Sequence, residues 1–415
     1  MERYFKFLLL AGLLAYGPKA YSQKDCSKPS SGFTPLTDFV LGDKFNGFTG
    51  GLYGNNSNLK PQRYMEDAMI IANEIKPLNV DGQVDPNGKI GFMAVGASNP
   101  RTEFNAFLTK IQTDSNINPR VKFINSCIGG QGIQKMNQAN DNYWIQADKL
   151  IDSVGLTNKQ IQVIWVETDN TANGNTNFPQ CAEELADEYY ILFKTIKQLY
   201  PNVKICYLAS RTYAGFATPT AGGVGKGLLH PRDYFNGWAN RFFIERLVND
   251  LSGYDFIGEH ATIPFVTWGN YSWTDGNLAR KDGFAVDCTA DFGSDGLHLS
   301  ALGEQKIGSL IYEFFKGEET AQAWLFNTLN KVNETFDNED VTISGWIGAD
   351  ENLKYYSKVG VKNAVILDNL GRSFTIKLNE DDRYISLSNL SNGIYWITFF
   401  TQDSKWSKAK PFVKL

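Results

Sequence analysis

Apolar runs alternate with amphipathic segments through the middle of the chain. Four short runs are apolar almost throughout and a weaker one follows them, namely 89–95, 121–127, 161–167, 203–209 and 254–258. Apolar residues at helical spacing fill most of the intervals between these runs. Continuous apolar strands separated by helices are typical of a parallel sheet that is covered on both faces. The pattern therefore predicts an α/β domain with a five-stranded sheet, whose site lies beyond the carboxyl ends of the strands.

The pattern changes near Phe336. Residues 333–340 are polar and acidic and suit a linker, and short alternating segments with turn signals follow them. Asn392-Gly393 before the apolar segment 394–397 is typical of a hairpin turn. We therefore predict a small all-β sandwich domain over residues 336–415.

The first 22 residues have the pattern of a signal peptide. Arg3 and Lys6 precede an apolar run at 7–16, and small residues follow near Ser22. The run is too short to span a bilayer, and a buried first helix is the alternative. We predict a signal peptide at 1–22, a larger domain at 23–335 and no transmembrane segment in the mature chain.

Composition limits the kind of partner. The 415 residues carry a formal net charge of −5, which argues against a general nucleic-acid binder because such proteins present a basic face. Only three histidines occur, His230, His260 and His298, so a multi-histidine zinc site is disfavoured. We expect no metal and no nucleic-acid partner.

Five cysteines remain after cleavage of the signal peptide, at wide spacings and without a CxxC pair. Cys127 and Cys206 lie in apolar runs, which predicts buried thiols. An exported chain permits disulfides, and pairing among Cys26, Cys181 and Cys288 stays open.

Ser98 follows the first apolar run directly, in the segment Gly96-Ala97-Ser98-Asn99. A turn from strand to helix exposes a serine hydroxyl and places backbone N–H groups where an oxyanion can bind. The alternative is that Ser98 only caps the helix, because small polar residues are common at such turns.

Asp295 lies three residues before His298, just ahead of the last helical pattern. A carboxylate at this spacing can bind the imidazole and orient it as a general base. The alternative is a surface acidic loop before a helix that Ser300 caps.

These segments together resemble the SGNH (GDSL-like) hydrolases. The similarity covers about residues 45–330 and is greatest to an uncharacterised secreted branch, through the segments 51–58, 85–99, 210–217, 268–276 and 291–308. The resemblance implies a three-layer α/β/α fold with a parallel five-stranded flavodoxin-like sheet. It also implies hydrolysis of acyl esters through a serine, without a metal or organic cofactor.

By position, the resemblance implies Ser98 as nucleophile, His298 as base and Asp295 as the residue that orients the base. Gly130, five residues after Asn125, matches the glycine of the family's second block. Its N–H and that of Ser98 would then hold the oxyanion.

The third block departs from the family, which usually has Gly-x-Asn-Asp after the third strand. Here the residues are Glu167-Thr168-Asp169-Asn170, so Asp169 takes the place of the asparagine. A carboxylate cannot donate to an oxyanion unless it is protonated. Loss of one donor typically costs about 10²–10³ in rate. Asn170 is a candidate donor, and the alternatives are another donor, weak activity or altered chemistry.

Four more side chains are candidates for substrate binding. Arg211 and Tyr213 follow the fourth apolar run, at the end of the sheet where substrate would lie. Trp268 and Trp273 are spaced either to stack on sugar rings or to pack a loop.

The tail resembles the C-terminal sorting domain of type IX secretion, in the segments 366–372, 385–395 and 410–415. The resemblance implies the outer-membrane secretion machinery as a partner. It also implies export through the periplasm and a secreted or cell-surface location. A carbohydrate-binding or adhesive sandwich is the alternative.

Two functions fit these residues. The first is a secreted serine hydrolase that cleaves acyl esters of a small molecule or a polysaccharide, including acetyl esters on carbohydrate, by a Ser-His-Asp mechanism. The second is a surface glycan-binding protein on a catalytically weak or inactive hydrolase fold, which the departure at Asp169 motivates.

Overall fold

The computed structural model describes most of the chain after the predicted signal peptide. The described residues are 23–218, 225–258, 261–326, 341–343, 352–357, 360–368, 372–378, 384–402, 406–407 and 409–414. The predicted signal peptide at 1–22, the predicted domain boundary at 335/336 and His260 lie outside these residues. Internal contacts divide the chain into two units, Met1–Thr328 and Leu329–Leu415.

The first unit alternates strands with helices. Its described strands are β1 (Gln23–Lys24), β2 (Ile90–Gly96), β3 (Val121–Asn125), β4 (Ile161–Glu167), β5 (Ile205–Leu208), β6 (Ala217–Thr218) and β7 (Phe265–Trp268). Its described helices are α1 (Gln62–Asn73), α2 (Ser98–Ile111), α3 (Asn142–Ser153), α4 (Gln180–Leu199), α5 (Arg232–Val248), α6 (Cys288–Asp291), α7 (Ala301–Gly317) and α8 (Glu319–Gln322). Among the described residues, no helix has the length and apolar character that a membrane span requires.

Five of these strands form one parallel sheet in the order β3-β2-β4-β5-β7. Counted along the sheet's own strands, this is the order 2-1-3-4-5 of flavodoxin-like doubly wound sheets. Every residue of β2, β4, β5 and β7 is buried. Helix α2 packs with α7 and α4 packs with α5, so helices flank the sheet. The predicted α/β class with a parallel five-stranded sheet is confirmed.

The fifth strand lies later in the chain than the sequence pattern predicts. The prediction of a strand at 254–258 is wrong, because that segment has no strand pairing and β7 begins at Phe265. The alternating aromatic residues of 254–258 cover neighbouring elements instead. The ring of Phe256 lies 5.2 Å from that of Phe265, and the ring of Tyr254 lies 4.6 Å from that of Tyr190. Aromatic residues that alternate because they cover a neighbouring strand therefore give the same sequence pattern as a strand.

The second unit is built from antiparallel strands. Those described are β8 (Val341–Ile343), β9 (Asn352–Ser357), β10 (Val361–Asp368), β11 (Ser373–Lys377), β12 (Tyr384–Ser386), β13 (Gly393–Thr401) and β14 (Lys410–Lys414). They form one sheet in the order β11-β10-β13-β14 and another in the order β12-β9-β8. Buried residues of both sheets, such as Leu353, Ile366 and Ile397, share one core. The predicted all-β sandwich is therefore confirmed in the part of this unit that the structure describes.

The hairpin predicted at Asn392-Gly393 is wrong. β12 pairs with β9, whereas β13 pairs with β10 and β14. The segment between β12 and β13 thus crosses from one sheet to the other. A turn signal between two apolar segments predicts a turn, but it does not predict which strands pair.

One disulfide joins Cys26 to Cys288, with the Cα atoms 5.8 Å apart. Cys127, Cys181 and Cys206 are buried free thiols. The prediction of buried thiols at Cys127 and Cys206 is confirmed, and the bond resolves the pairing that the sequence leaves open.

Candidate active site

Ser98 lies at the first residue of α2, just beyond the carboxyl end of β2. The turn into the helix is tight. A Cβ atom on Gly96 would meet the carbonyl oxygen of Glu167 at 2.3 Å and the ring of Pro100 at 2.5 Å, so glycine is required there. Ala97, not Ser98, occupies the N-cap position of α2, and among the described residues the hydroxyl of Ser98 is hydrogen-bonded only to His298.

Ser98, His298 and Asp295 form a continuous hydrogen-bonded chain. Oγ of Ser98 lies 2.9 Å from Nε2 of His298. Nδ1 of His298 lies 2.6 Å from Oδ2 of Asp295. With Nδ1–H donating to the carboxylate, Nε2 is left to accept the serine proton, which is the arrangement of a Ser-His-Asp triad. The structure therefore brings together the three residues predicted as catalytic.

The loop that carries Asp295 and His298 has a defined conformation. Oδ1 of Asp295 accepts the backbone N–H groups of Leu297 at 3.0 Å and His298 at 2.9 Å. Gly296 has φ of +70°, and a Cβ there would lie 2.2 Å from the carbonyl oxygen of Phe216. Burial opposes ionisation of Asp295, but the hydrogen bonds from His298 and Leu297 hold its pKa below the ordinary value. Asp295 therefore stays a carboxylate that orients the imidazole.

The N-terminal segment next to the disulfide holds the loop of Asp295 and His298 in place. Cys288 begins α6, and the peptide N–H of Lys24 donates to the carbonyl of Ser294 at 2.9 Å. Nζ of Lys24 donates to the carbonyl of Phe292 at 2.9 Å. Because Cys26 is bonded to Cys288, the N-terminal end of the described chain is fixed to the loop that carries His298.

A small, partly open cavity lies over the triad. Its wall includes Ala97, Ser98, Asn99, Pro100, Gly130, Glu167, Thr168, Asp169, Thr171, Arg211, Leu228, Leu297 and His298. Within the described residues, the backbone N–H groups of Ser98 and Gly130 donate no hydrogen bond to another backbone group. Gly130 has φ of +71°, a conformation that suits glycine. Both N–H groups are thus available to an oxyanion in this cavity.

Asp169 lies on the same wall and is fully ion-paired. Its side chain is buried, with Oδ1 2.8 Å from Nη2 of Arg232 and Oδ2 3.3 Å from Nη1 of Arg211. The side-chain amide of Asn236 also donates to Oδ2, at 3.4 Å. Both oxygens of Asp169 thus already accept hydrogen bonds, and a carboxylate has no proton to donate to an oxyanion.

Asn170 is not brought to the cavity. Its side-chain amide donates to Oε1 of Glu188 at 2.6 Å, on α4. Its Oδ1 accepts the backbone N–H groups of Ala172 and Asn173, each at 3.1 Å. The side chain that the sequence offers as an oxyanion donor is therefore occupied in shaping the loop after β4.

Of the four side chains predicted to bind substrate, only Arg211 reaches the cavity. Trp268 donates from Nε1 to the carbonyl of Leu52 at 2.6 Å, and Trp273 donates to Oδ2 of Asp233 at 2.8 Å. Both tryptophans and Tyr213 are buried. Their rings pack the core beyond the sheet and do not present a face on which a sugar could stack.

Two residues near the site, Arg232 and Glu103, are not predicted from the sequence. Arg232 lies within a predicted helix, but nothing in the sequence pairs it with Asp169. Glu103 is fully buried on α2, next to Phe104 and one turn before Phe107. A charged residue on the apolar face of a predicted helix is the signal that could have identified Glu103.

His230 lies outside this site. Nδ1 of His230 is 2.9 Å from Oδ1 of Asp233, away from the wall of the cavity. No group of three or more histidine, cysteine, aspartate or glutamate side chains among the described residues is placed to hold a metal ion.

No protein-family model matches the sequence, and neither does any curated protein sequence. Similar solved structures include an acetyl xylan esterase, at 13% sequence identity and a TM-score of 0.31, covering 54% of this chain and 98% of that chain. Another is a gut microbial diltiazem-metabolizing enzyme, at 14% identity and a TM-score of 0.30, covering 82% of this chain and 72% of that chain. An extracellular lipase from Streptomyces rimosus has 9% identity and a TM-score of 0.25, covering 53% of this chain and 97% of that chain. Similarity at this level does not support an inference about function.

Proposed function

We propose that the protein is a serine hydrolase that cleaves acyl esters, as the resemblance to the SGNH hydrolases implies. The observation that carries this proposal is the hydrogen-bonded chain from Ser98 through His298 to Asp295 on the wall of a cavity. A serine hydroxyl is a weak nucleophile unless a neighbouring base accepts its proton. Here the base is in hydrogen-bond contact and is itself oriented by a carboxylate.

The geometry supports acyl transfer in two steps. Ser98 Oγ attacks the ester carbonyl while Nε2 of His298 takes its proton, and the N–H groups of Ser98 and Gly130 hold the oxyanion. Collapse of the tetrahedral intermediate breaks the ester bond, and His298 returns the proton to the leaving alcohol. Water then attacks the acyl-enzyme with His298 as base, which releases the carboxylic acid and restores Ser98.

We propose a short acyl group, with acetyl esters on carbohydrate as one substrate class. Support comes from the small size of the pocket beside Ser98, where Thr168, Leu228 and Leu297 close the wall and leave little room for a long chain. Full-length protein should hydrolyse p-nitrophenyl acetate faster than p-nitrophenyl octanoate, by at least about tenfold in kcat/KM. Equal or faster cleavage of octanoate would contradict the short-acyl assignment. Binding of acetylated polysaccharide without release of acetate would favour the glycan-binding alternative.

We further propose that the protein is exported and that its C-terminal tail directs the final step of export, transport by the outer-membrane secretion machinery. The apolar segment at 7–16 and the Cys26–Cys288 disulfide support export, because disulfides persist in oxidising compartments. The antiparallel sandwich and the segments that resemble a type IX sorting domain support the assignment of the tail.

Removal of the tail tests this assignment in cells that have the type IX machinery. A chain truncated after Thr335 should accumulate in the periplasm, whereas the full chain should reach the cell surface or the medium. Cell fractionation with a periplasmic marker measures the difference. If the truncated chain still reached the cell surface, the sandwich domain would have a function other than sorting.

A further inference from the structure

The sheet carries a buried pair of carboxyl groups beside the proposed nucleophile. Glu103 lies on α2, five residues after Ser98, and Glu167 ends β4. Both side chains are buried, and Glu167 forms part of the cavity wall. In the strand register Glu167 is paired with Gly96, two residues before Ser98. The pair therefore lies directly behind the turn that presents the serine.

These two carboxyl groups interact with each other and have few other partners. Among the described residues, no donor reaches either oxygen of Glu103 or Oε2 of Glu167. Two carboxylates that touch in a dry site cannot both ionise, because the charges repel and neither is solvated. Burial raises the pKa of Glu103 to about 7. Burial and the charge of Glu103 raise the pKa of Glu167 well above its ordinary range.

The other charged groups near the pair do not allow Glu103 and Glu167 to be ionised together. Among the described residues, the titratable and charged groups that face the pair are Arg211 beyond β5, Glu304 on α7 and Cys127 beyond β3. Arg211 favours ionisation, but its guanidinium is already ion-paired with Asp169. Glu304 disfavours ionisation of Glu103, and burial raises the pKa of the Cys127 thiol so that it stays neutral.

We propose that Glu167, with Glu103 behind it, donates the hydrogen bond to the acyl oxygen of the substrate that the carboxylate at position 169 cannot donate. When both groups are protonated, Glu103 donates to Glu167 and the O–H of Glu167 is free for the cavity. A neutral carboxylic acid is a good donor in an apolar site. This inference rests on the proposed ester hydrolysis and names a further catalytic residue for it.

The proposal has a pH signature. His298 must be neutral to accept a proton, so kcat/KM rises with pH on the acid side. When Glu103 ionises, its carboxylate draws the O–H of Glu167 to itself and the cavity loses its donor. kcat/KM should therefore fall again as pH rises through about 7, the pKa of Glu103. A triad with only backbone donors and Thr168 would show no such alkaline fall, because those donors do not titrate in this range.

Three variants of the full chain test the inference with p-nitrophenyl acetate. Glu167→Leu removes the donor and should lower kcat/KM by about 10²–10³ at the optimum. Glu167→Gln keeps an amide donor, so it should lose less than about tenfold and should also lose the alkaline fall. Thr168→Val removes the rival hydroxyl and should retain the fall. That hydroxyl is buried on the same wall, and no hydrogen-bond partner reaches it from the part of the chain that the structure describes.

Glu188→Gln is the matched control. Burial also raises the pKa of Glu188, but this side chain binds Asn170 and does not line the cavity. Its pH profile should match that of the wild type. An active wild type whose alkaline fall survives Glu167→Gln, or is lost in Thr168→Val, would overturn this inference and leave the proposed hydrolysis standing. A wild type that hydrolyses no ester would overturn both.

Discussion

Replacing Ser98 with alanine should lower kcat/KM for p-nitrophenyl acetate by at least about 10⁴-fold. The substitution removes the atom that forms the acyl-enzyme, and the hydroxyl takes part in no other hydrogen bond than the one to His298 among the described residues. His298 and Asp295 remain in place, so the residual rate reports binding and base-assisted attack by water. Steady-state hydrolysis in pure full-length protein measures the loss.

Two controls separate chemistry from folding in this variant. The temperature of unfolding should match that of the wild type, because Ala97 and not Ser98 occupies the N-cap of α2. Ser153→Ala changes an exposed serine at the end of α3 and should keep full activity. If Ser98→Ala retained hydrolysis within tenfold of the wild type, the serine would not be the nucleophile.

Replacing Asp169 with asparagine should lower the free energy of unfolding by about 3–5 kcal/mol. The side chain is buried between Arg211 and Arg232, which are themselves largely buried. Removing one partner leaves guanidinium charge in a dry site without compensation, and that costs more than the pair itself contributes. Urea denaturation followed by fluorescence measures the change.

Asp187→Asn is the matched control for this effect. Asp187 pairs with Arg246 at 2.6 Å, but 69% of its side chain is exposed. Surface ion pairs contribute about 0–1 kcal/mol, so this variant should stay close to the wild type. A loss at Asp169 no greater than that at Asp187 would show that the two arginines are satisfied without the carboxylate.

Asparagine at position 169, which the resemblance to the SGNH hydrolases would imply, is for the same reason not expected to improve the proposed hydrolysis by itself. Asparagine at 169 would supply a donor, but it would leave Arg211 and Arg232 without their shared anion. The departure in the third block is therefore tied to a buried ionic network, and the position cannot be changed by itself.

The sequence predicts the elements that have a strong local signal. β4 agrees with its prediction to the residue at Ile161–Glu167, since every side chain of that strand is buried and apolar residues run almost unbroken. The spacing of Asp295 and His298 is also local, so its geometry could be anticipated. Ser98 could be anticipated because a strand, a tight turn and a helix follow one another in sequence.

Contacts between distant segments could not be read in the same way. Asn170 stands one residue from the expected donor position, but Glu188 binds its amide, and nothing in the sequence marks that contact. Trp268 and Trp273 resemble exposed aromatic platforms by spacing, but their N–H groups bind Leu52 and Asp233 in the interior. In each case a partner from another element decides where the side chain lies.

Reaction with a fluorophosphonate probe tests the central claim most directly, because only an activated serine reacts well with it. Full-length protein should gain one probe mass, and peptide mapping should place the probe on Ser98. The His298→Ala variant, which keeps the serine but lacks the base, should stay unlabelled over the same time. The absence of labelling in the wild type, or labelling at another serine with Ser98 unmodified, would contradict the assignment of a Ser98-His298-Asp295 triad.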